Sequence, residues 1–135
     1  MAVNEKLPLP GYGDVVVRVA SNLGGGVAGW GDICGAIIGG TMAIGLLIGT
    51  NGDEPITKFD EMRLKERKIT LELIKNFEEK WGKVICRSLL GCESCTPEER
   101  AKRGEDLRAL GQSHCDEYVD WAAAKTIETI EKNIN

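Results

Sequence analysis

The chain has 135 residues and a mass of 14.7 kDa, the size of one domain with its own hydrophobic core, and its composition of 42% hydrophobic and 28% charged residues argues against a disordered chain or a repeat array. Seventeen basic and 21 acidic residues give a net charge of −4, and the sequence has no run of basic residues that could bind along a phosphate backbone. We therefore do not expect nucleic acid as a partner. The odd count of five cysteines, with Glu5 and Lys6 where a secretory signal would be apolar, predicts a reducing, cytoplasmic setting.

The N-terminal part of the chain is dominated by turn formers. Residues 1–13 contain two prolines and two glycines, which predicts an irregular arm lying on the body of the domain. Residues 15–23 are rich in valine and fit either a helix capped by Asp14 or a strand. Five glycines between Gly24 and Gly31 then predict a tight turn, because no helix interior tolerates so many.

The next segment, residues 33–49, is uncharged and glycine-rich. It is short for a bilayer span and lacks flanking basic residues, so we expect a buried central helix and no membrane span. Gly35, Gly39 and also Gly45 would form a stripe along which another helix approaches closely. Because this helix is apolar around its whole circumference, we expect a second copy of the chain to cover part of it, in a homodimer.

The sequence pattern of the second half of the chain predicts three further helices. Apolar residues recur at helical spacing from Pro55 to Trp81, and Gly82 is a typical C-terminal cap. Thr96 and Pro97 predict the start of a helix that runs to about Leu110, and the last apolar pattern begins near Ser113. The expected fold is therefore all-α, a single domain over residues 14–135 built as a bundle of about five helices.

Three motifs partly match known functional patterns, but the residues around them do not support those functions. The glycines from Gly24 to Gly29 match G-x-G-x-x-G, but no βαβ pattern follows, so a dinucleotide site is not expected. His114 and Cys115 are neighbours on a helix and point about 100° apart, so they are not a base and nucleophile pair, and we expect an exposed His114. Position 96 is Thr, which excludes covalent haem of the C-x-x-C-H type.

The thiols remain the strongest chemical signal. Cys86, Cys92, Cys95 and Cys115 include a C-x-x-C pair whose sulfurs could share a metal ion or oxidise to a disulfide. Cys34 lies on the apolar helix, where a lone thiol is commonly a small buried hydrophobe.

The order of these motifs resembles a known family. Glycines precede Cys34-Gly35-Ala36-Ile37-Ile38-Gly39, which reads C-G-A-x-x-G and is followed by a long charged helix, by Cys86 with Gly91, by Thr96-Pro97, and by Cys115 at the start of the last helix. From residue 14 onward this is similar to the redox-active family named for its cysteine pattern, C_GCAxxG_C_C. The resemblance implies an all-helical domain with four signature cysteines and a redox or iron–sulfur role, and it favours the helix over residues 15–23.

Three of the family's cysteines correspond to Cys34, Cys86 and Cys115, within a supporting motif of Gly35, Ala36 and Gly39. The fourth lies in the family on an N-terminal helix, and residues 1–13 contain no cysteine. Cys92 or Cys95 could supply the missing sulfur. We therefore expect a redox-active or metal-binding protein that works by electron transfer or thiol–disulfide exchange, with an iron–sulfur cluster as cofactor and zinc as the alternative.

A non-catalytic module is the alternative hypothesis. In that case the chain would serve as a component of an oxidoreductase or a transporter, and its C-x-x-C would hold zinc or nothing. If the family's site is present, Cys34 should face other cysteines. We also expect Cys92 and Cys95 to be the most accessible thiols and to oxidise first, with Cys34 and Cys115 buried on apolar helix faces.

Overall fold

A computed structural model describes residues 2–134, and over this range the chain is all-α, as predicted. Its helices are α1 (Ala2–Lys6), α2 (Asp14–Ala20), α3 (Gly35–Ile48), α4 (Ile56–Trp81), α5 (Cys86–Leu89), α6 (Pro97–Ala109) and α7 (Cys115–Ile134). The described residues thus form seven helices where about five were expected, because α1 and α5 are short elements that the sequence pattern did not reveal. A single antiparallel β-bridge joins Ile33 to Ile85.

Helix α1 corrects the expectation of an irregular arm over residues 1–13. Isolated helices this short are unstable in water, so α1 must be held by its packing. It lies against α3 and α7, and Val3 and Leu9 are buried together with Ala43. The Asn4 side chain accepts a hydrogen bond from the Leu9 amide at 2.9 Å, which fixes the turn after the helix.

The core lies between α3, α4 and α7, each of which packs against the other two. One cluster of buried residues, around Phe77 of α4, contains Cys34, Ile37, Tyr118 and Ala122. A second cluster of buried residues, nearer the start of α4, contains Ile44, Ile69, Leu73 and Ile130. Helix α4 begins one residue after the predicted Pro55 and ends at Trp81, with Gly82 in the left-handed conformation at φ 80°.

Helix α3 is partly covered within one chain. Only Gly39 of its residues is exposed, because α4 and α7 cover one side of α3 and α1 lies on another. Several apolar residues of α3, among them Ile38, Met42 and Leu46, are only half-buried, and the homodimer that was expected to cover this helix stays a prediction. Among residues 2–134, no helix combines the length and the apolar character that crossing a membrane requires.

The closest approach to α3 occurs at Gly40, which is not one of the glycines of the predicted stripe. A Cβ atom at Gly40 would lie 2.5 Å from Thr126 Oγ1 of α7 and 2.7 Å from Leu73 Cδ2 of α4. A Cβ atom at Gly39 would meet no heavy atom within 4 Å. The helical register had assigned the packing face to the wrong one of two adjacent glycines.

This difference predicts opposite outcomes for two neighbouring substitutions. Gly40→Ala should destabilise the fold, because overpacking costs about 1–3 kcal/mol and the better helix propensity of alanine offsets at most about 1 kcal/mol. Gly39→Ala should stabilise it by up to about 1 kcal/mol, since only the propensity changes. Urea denaturation of the two variants measures both effects, and equal stabilities would contradict the packing of α3 on α7.

Candidate functional site

The β-bridge brings the first two signature cysteines together. Its two hydrogen bonds run from the Cys34 amide to the Val84 carbonyl at 2.9 Å and from the Cys86 amide to the Asp32 carbonyl at 2.6 Å. Cys34 and Cys86 therefore follow the bridged pair on both segments, as diagonal neighbours on the same face of the bridge. Each also stands at the start of a helix, Cys34 as the N-cap of α3 and Cys86 as the first residue of α5.

The glycine turn predicted before Cys34 sets up this bridge. Backbone φ is positive at all five residues from Gly25 to Gly29, including Val27 (70°) and Ala28 (51°), so this part of the turn is left-handed. A Cβ atom at Gly26 would overlap the backbone of Asp32, whose carbonyl accepts from Cys86. The turn thus packs directly behind the bridge that carries both cysteines.

Cys115, the first residue of α7, joins them at a cavity of about 550 Å³. We call it the thiol cavity. Besides the three free cysteines, its lining includes Gly24, Gly25, Gly29, Gly35, Ala36, Leu90, Arg100, Ala101, Gly104, Glu105, Arg108, Tyr118 and Val119. Cys34 thus lines the same cavity as Cys86 and Cys115, and it stays a prediction that its sulfur faces theirs.

The segment that matches a known family contains all three of these cysteines. The model of the family C_GCAxxG_C_C, described as a putative redox-active protein, matches residues 1–129. The chain belongs to this family. No curated protein and no solved structure matches it. The family match begins at residue 1, so it also includes α1, whereas the sequence resemblance was drawn from residue 14 onward.

The three thiols of this family member differ in exposure. Cys34 is 8% exposed, Cys86 is half-buried and Cys115 is exposed at the first turn of α7. The expectation that Cys115 is buried is wrong, because the apolar face of α7 becomes covered only from Tyr118 onward. Cys115 is therefore the thiol that a molecule arriving from solvent meets first.

The surroundings hold two of the thiols in the protonated form. Burial raises the pKa of Cys34 above its ordinary value, the amides of Ala36 and Ile37 oppose the shift, and negative charge on Cys115 adds to it. Burial also raises the pKa of Cys86, as does negative charge on Cys34 and Cys115, while the Arg100 guanidinium counteracts it. Close thiols thus disfavour one another's ionisation.

Tyr118 is a buried aromatic residue that lines the thiol cavity. Burial is the main cause that raises the pKa of its phenol, with negative charge on Cys115 and Cys34 as further causes. Its ring packs 5.8 Å from that of Phe77 and 5.0 Å from that of Trp81. The aromatic cluster of α4 and α7 therefore fixes the wall against which the thiols stand.

Arg100 is the residue of the cavity that sequence reasoning missed. Its side chain is 5% exposed, and its guanidinium donates from Nη1 to the Gly29 carbonyl at 2.6 Å and from Nη2 to the Cys95 carbonyl at 2.8 Å. It ties the glycine turn to the C-x-x-C loop and places a positive charge beside Cys86. Nothing in a helix with so many charged residues marked this arginine as buried.

Cys92 and Cys95 form a disulfide and are not among the described residues that line the thiol cavity. Cys92 is 8% exposed and Cys95 half-buried, so the expectation that this pair is the most accessible is wrong. The Cys92 amide donates to the Arg87 carbonyl, which holds the loop against α5. As a disulfide the pair offers no thiolate to zinc or iron.

The other predicted positions also lie partly inside and partly outside the thiol cavity. Gly35 and Ala36 line the thiol cavity, whereas Gly39 does not. Instead Gly39 lines a second, apolar cavity of about 210 Å³ beside α1 and α2. His114 is exposed, as expected, and its ring nitrogen lies 3.2 Å from the Glu117 carboxylate.

The residues do not assemble a complete metal site as they stand. Within residues 2–134, no three side chains of the cysteine, histidine or carboxylate types lie close enough together to hold a metal ion. Three free thiols line the cavity, and within this chain a fourth thiolate would have to come from Cys92 or Cys95 after reduction.

Exposure and protonation together predict the order in which the thiols react. Near neutral pH, iodoacetamide should label Cys115 first, then Cys86, and Cys34 last. Because their pKa values are raised, Cys86 and Cys34 carry less thiolate at a given pH, and their labelling should set in at higher pH than in the unfolded chain. Peptide mass mapping measures the order, and equal labelling of the three sites after denaturation is the control. Preferential labelling of Cys34 in the folded protein would contradict the geometry.

Proposed function

We propose that the protein is a redox-active thiol protein that exchanges thiols for disulfides with a small substrate in the thiol cavity. The observation that supports this most is the convergence of Cys34, Cys86 and Cys115, from three separate segments, on one cavity, where Cys115 is exposed to solvent. Membership of a family described as redox-active supports the same class of chemistry.

The first step follows from the exposure of Cys115. Its sulfur attacks one sulfur of an incoming disulfide, a Cys115–substrate mixed disulfide forms, the substrate's S–S bond breaks, and half of the substrate leaves as a thiol with the proton that Cys115 loses.

The second step closes a bond inside the protein. Cys86 attacks the Cys115 sulfur of the mixed disulfide, and the rest of the substrate leaves as a second thiol that takes up the proton of Cys86. The substrate gains two electrons, and the protein dithiol becomes a disulfide. Cys86 is assigned this role because Arg100 favours its thiolate, whereas Cys34 is more deeply buried.

The test is a stoichiometric reaction of the protein with hydroxyethyl disulfide. The free thiols are first reduced under mild conditions and the mass of the chain is recorded. We expect two thiols to disappear, no substrate fragment to stay bound at the end, and peptide mapping to find a new bond between Cys86 and Cys115. A protein that keeps all its free thiols under these conditions would contradict the proposal.

A second measurement separates this function from that of an iron–sulfur carrier. Protein purified without oxygen should show no visible absorbance if the thiols act as a dithiol pair. A brown sample whose colour is lost in Cys34→Ser, Cys86→Ser and Cys115→Ser alike would instead assign the three thiols to a cluster.

A further inference from the structure

Arg100 carries a buried positive charge that no carboxylate of residues 2–134 pairs with. Its side chain is 5% exposed, and the acceptors of its two hydrogen bonds are backbone carbonyls of Gly29 and Cys95. Within the described residues it takes part in no ion pair, and its buried Nε has no hydrogen-bond partner. A buried charge without a counter-charge is costly, so an anion beside it would be strongly favoured.

The rest of the cavity is mostly suited to such an anion. Arg108 also lines it, from the exposed side of α6, and α3 and α7 begin at its wall with their positive ends. Among the residues that line the cavity, the one carboxylate is that of Glu105, which is exposed. Two arginines therefore face one glutamate, and the buried charge is positive.

We propose that the thiol cavity binds a small anion at Arg100 and that the disulfide substrate carries a carboxylate or another oxyanion. This inference rests on the proposed function for the disulfide part of the substrate and is independent of it for the anion. The volume of about 550 Å³ lies within the range of small-molecule sites, roughly 300–1,000 Å³, which admits a low-molecular-weight disulfide with its charged ends. The anion at Arg100 would place the S–S bond near Cys115 and Cys86.

The binding part is tested without any thiol chemistry. The probes are three disulfides of similar size and different charge, dithiodipropionate as the dianion, hydroxyethyl disulfide as the neutral compound and cystamine as the dication. The protein is the full chain with Cys34, Cys86 and Cys115 all replaced by serine, checked for helix content by circular dichroism. Calorimetry should give an affinity for dithiodipropionate at least roughly tenfold above that for hydroxyethyl disulfide, as expected for hydrogen bonds to a charged group, with cystamine weakest.

Variants of three exposed residues and one variant of the buried Arg100 then locate the anion. Arg108→Gln should weaken dithiodipropionate binding by about 2–5-fold and Glu105→Gln should strengthen it by a similar factor, as expected for exposed charges. Arg67→Gln, which removes an exposed arginine of α4 that does not line the cavity, should change nothing. Arg100→Lys keeps the charge but not the paired donors, and should weaken binding roughly tenfold or more while the protein stays folded.

The possible results separate the two proposals. Equal affinity for the anionic and neutral disulfides, or tightest binding of cystamine, would overturn the anion site. If dithiodipropionate binds the serine variant as expected but does not oxidise the unsubstituted protein, the anion site stands and the exchange function falls. If hydroxyethyl disulfide oxidises the protein and dithiodipropionate shows no preference in binding, the exchange function stands and the anion site falls.

Discussion

Replacing Cys115 with serine should abolish the reaction of the folded protein with external disulfides. The serine hydroxyl is not a nucleophile toward disulfides, and the two remaining thiols of the cavity are half-buried or buried, with raised pKa values. We expect the rate of thiol release from hydroxyethyl disulfide to fall to the background of the reagent alone. Stopped-flow or chromatographic detection of the released thiol measures this rate.

Two further substitutions give this prediction its controls. Cys86→Ser should leave the first attack intact and stop the reaction at a mixed disulfide on Cys115, visible as added mass. The double replacement of Cys92 and Cys95 by alanine should preserve the reaction, because that pair lies outside the thiol cavity and its disulfide closes only a very short loop. If Cys115→Ser reacted as fast as the unsubstituted protein, the assignment of the attacking thiol would be wrong.

The helices could be predicted from the sequence wherever apolar residues recur with the helical period or a cap marks the helix end. The span of α4 followed from its apolar spacing and from Gly82, and the start of α6 from Thr96, whose hydroxyl does accept a hydrogen bond from the Glu99 amide. Helix α1 was missed because its five residues form no periodic pattern and depend on contacts with α3 and α7.

The candidate site was predictable to a smaller extent. Cys34, Cys86 and Cys115 were singled out by resemblance to the family, but the contact between the first two depends on one β-bridge, which leaves no alternation in the sequence. Arg100 reaches the carbonyl of Gly29, 71 positions away, so its burial depends on a long-range contact. Local composition predicts a solvated arginine at this position, and the tertiary structure overrides that prediction.

The aromatic cluster behind the cavity predicts the largest effect on stability. Phe77 is fully buried, and its ring lies between 5.7 and 6.4 Å from the rings of Trp81, Tyr118 and Trp121. Phe77→Ala should lower the free energy of unfolding by about 3–5 kcal/mol, since it removes the apolar contacts and leaves a cavity. Chemical denaturation followed by circular dichroism measures the change. Leu64→Ala on the same helix, where the side chain is 69% exposed, is the matched control and should stay within about 0.5 kcal/mol.

The same substitution also links the core to the thiols. Phe77 belongs to the buried cluster that contains Cys34, and it packs against Tyr118, which lines the thiol cavity. In the part of the population that stays folded, Phe77→Ala should therefore speed the alkylation of Cys34 more than that of Cys115, which is already exposed. Leu64→Ala should leave both rates unchanged. If Phe77→Ala cost less than about 1 kcal/mol and left the labelling of Cys34 unchanged, the cluster would not be the support of the site, because a fully buried phenylalanine normally contributes several times that amount.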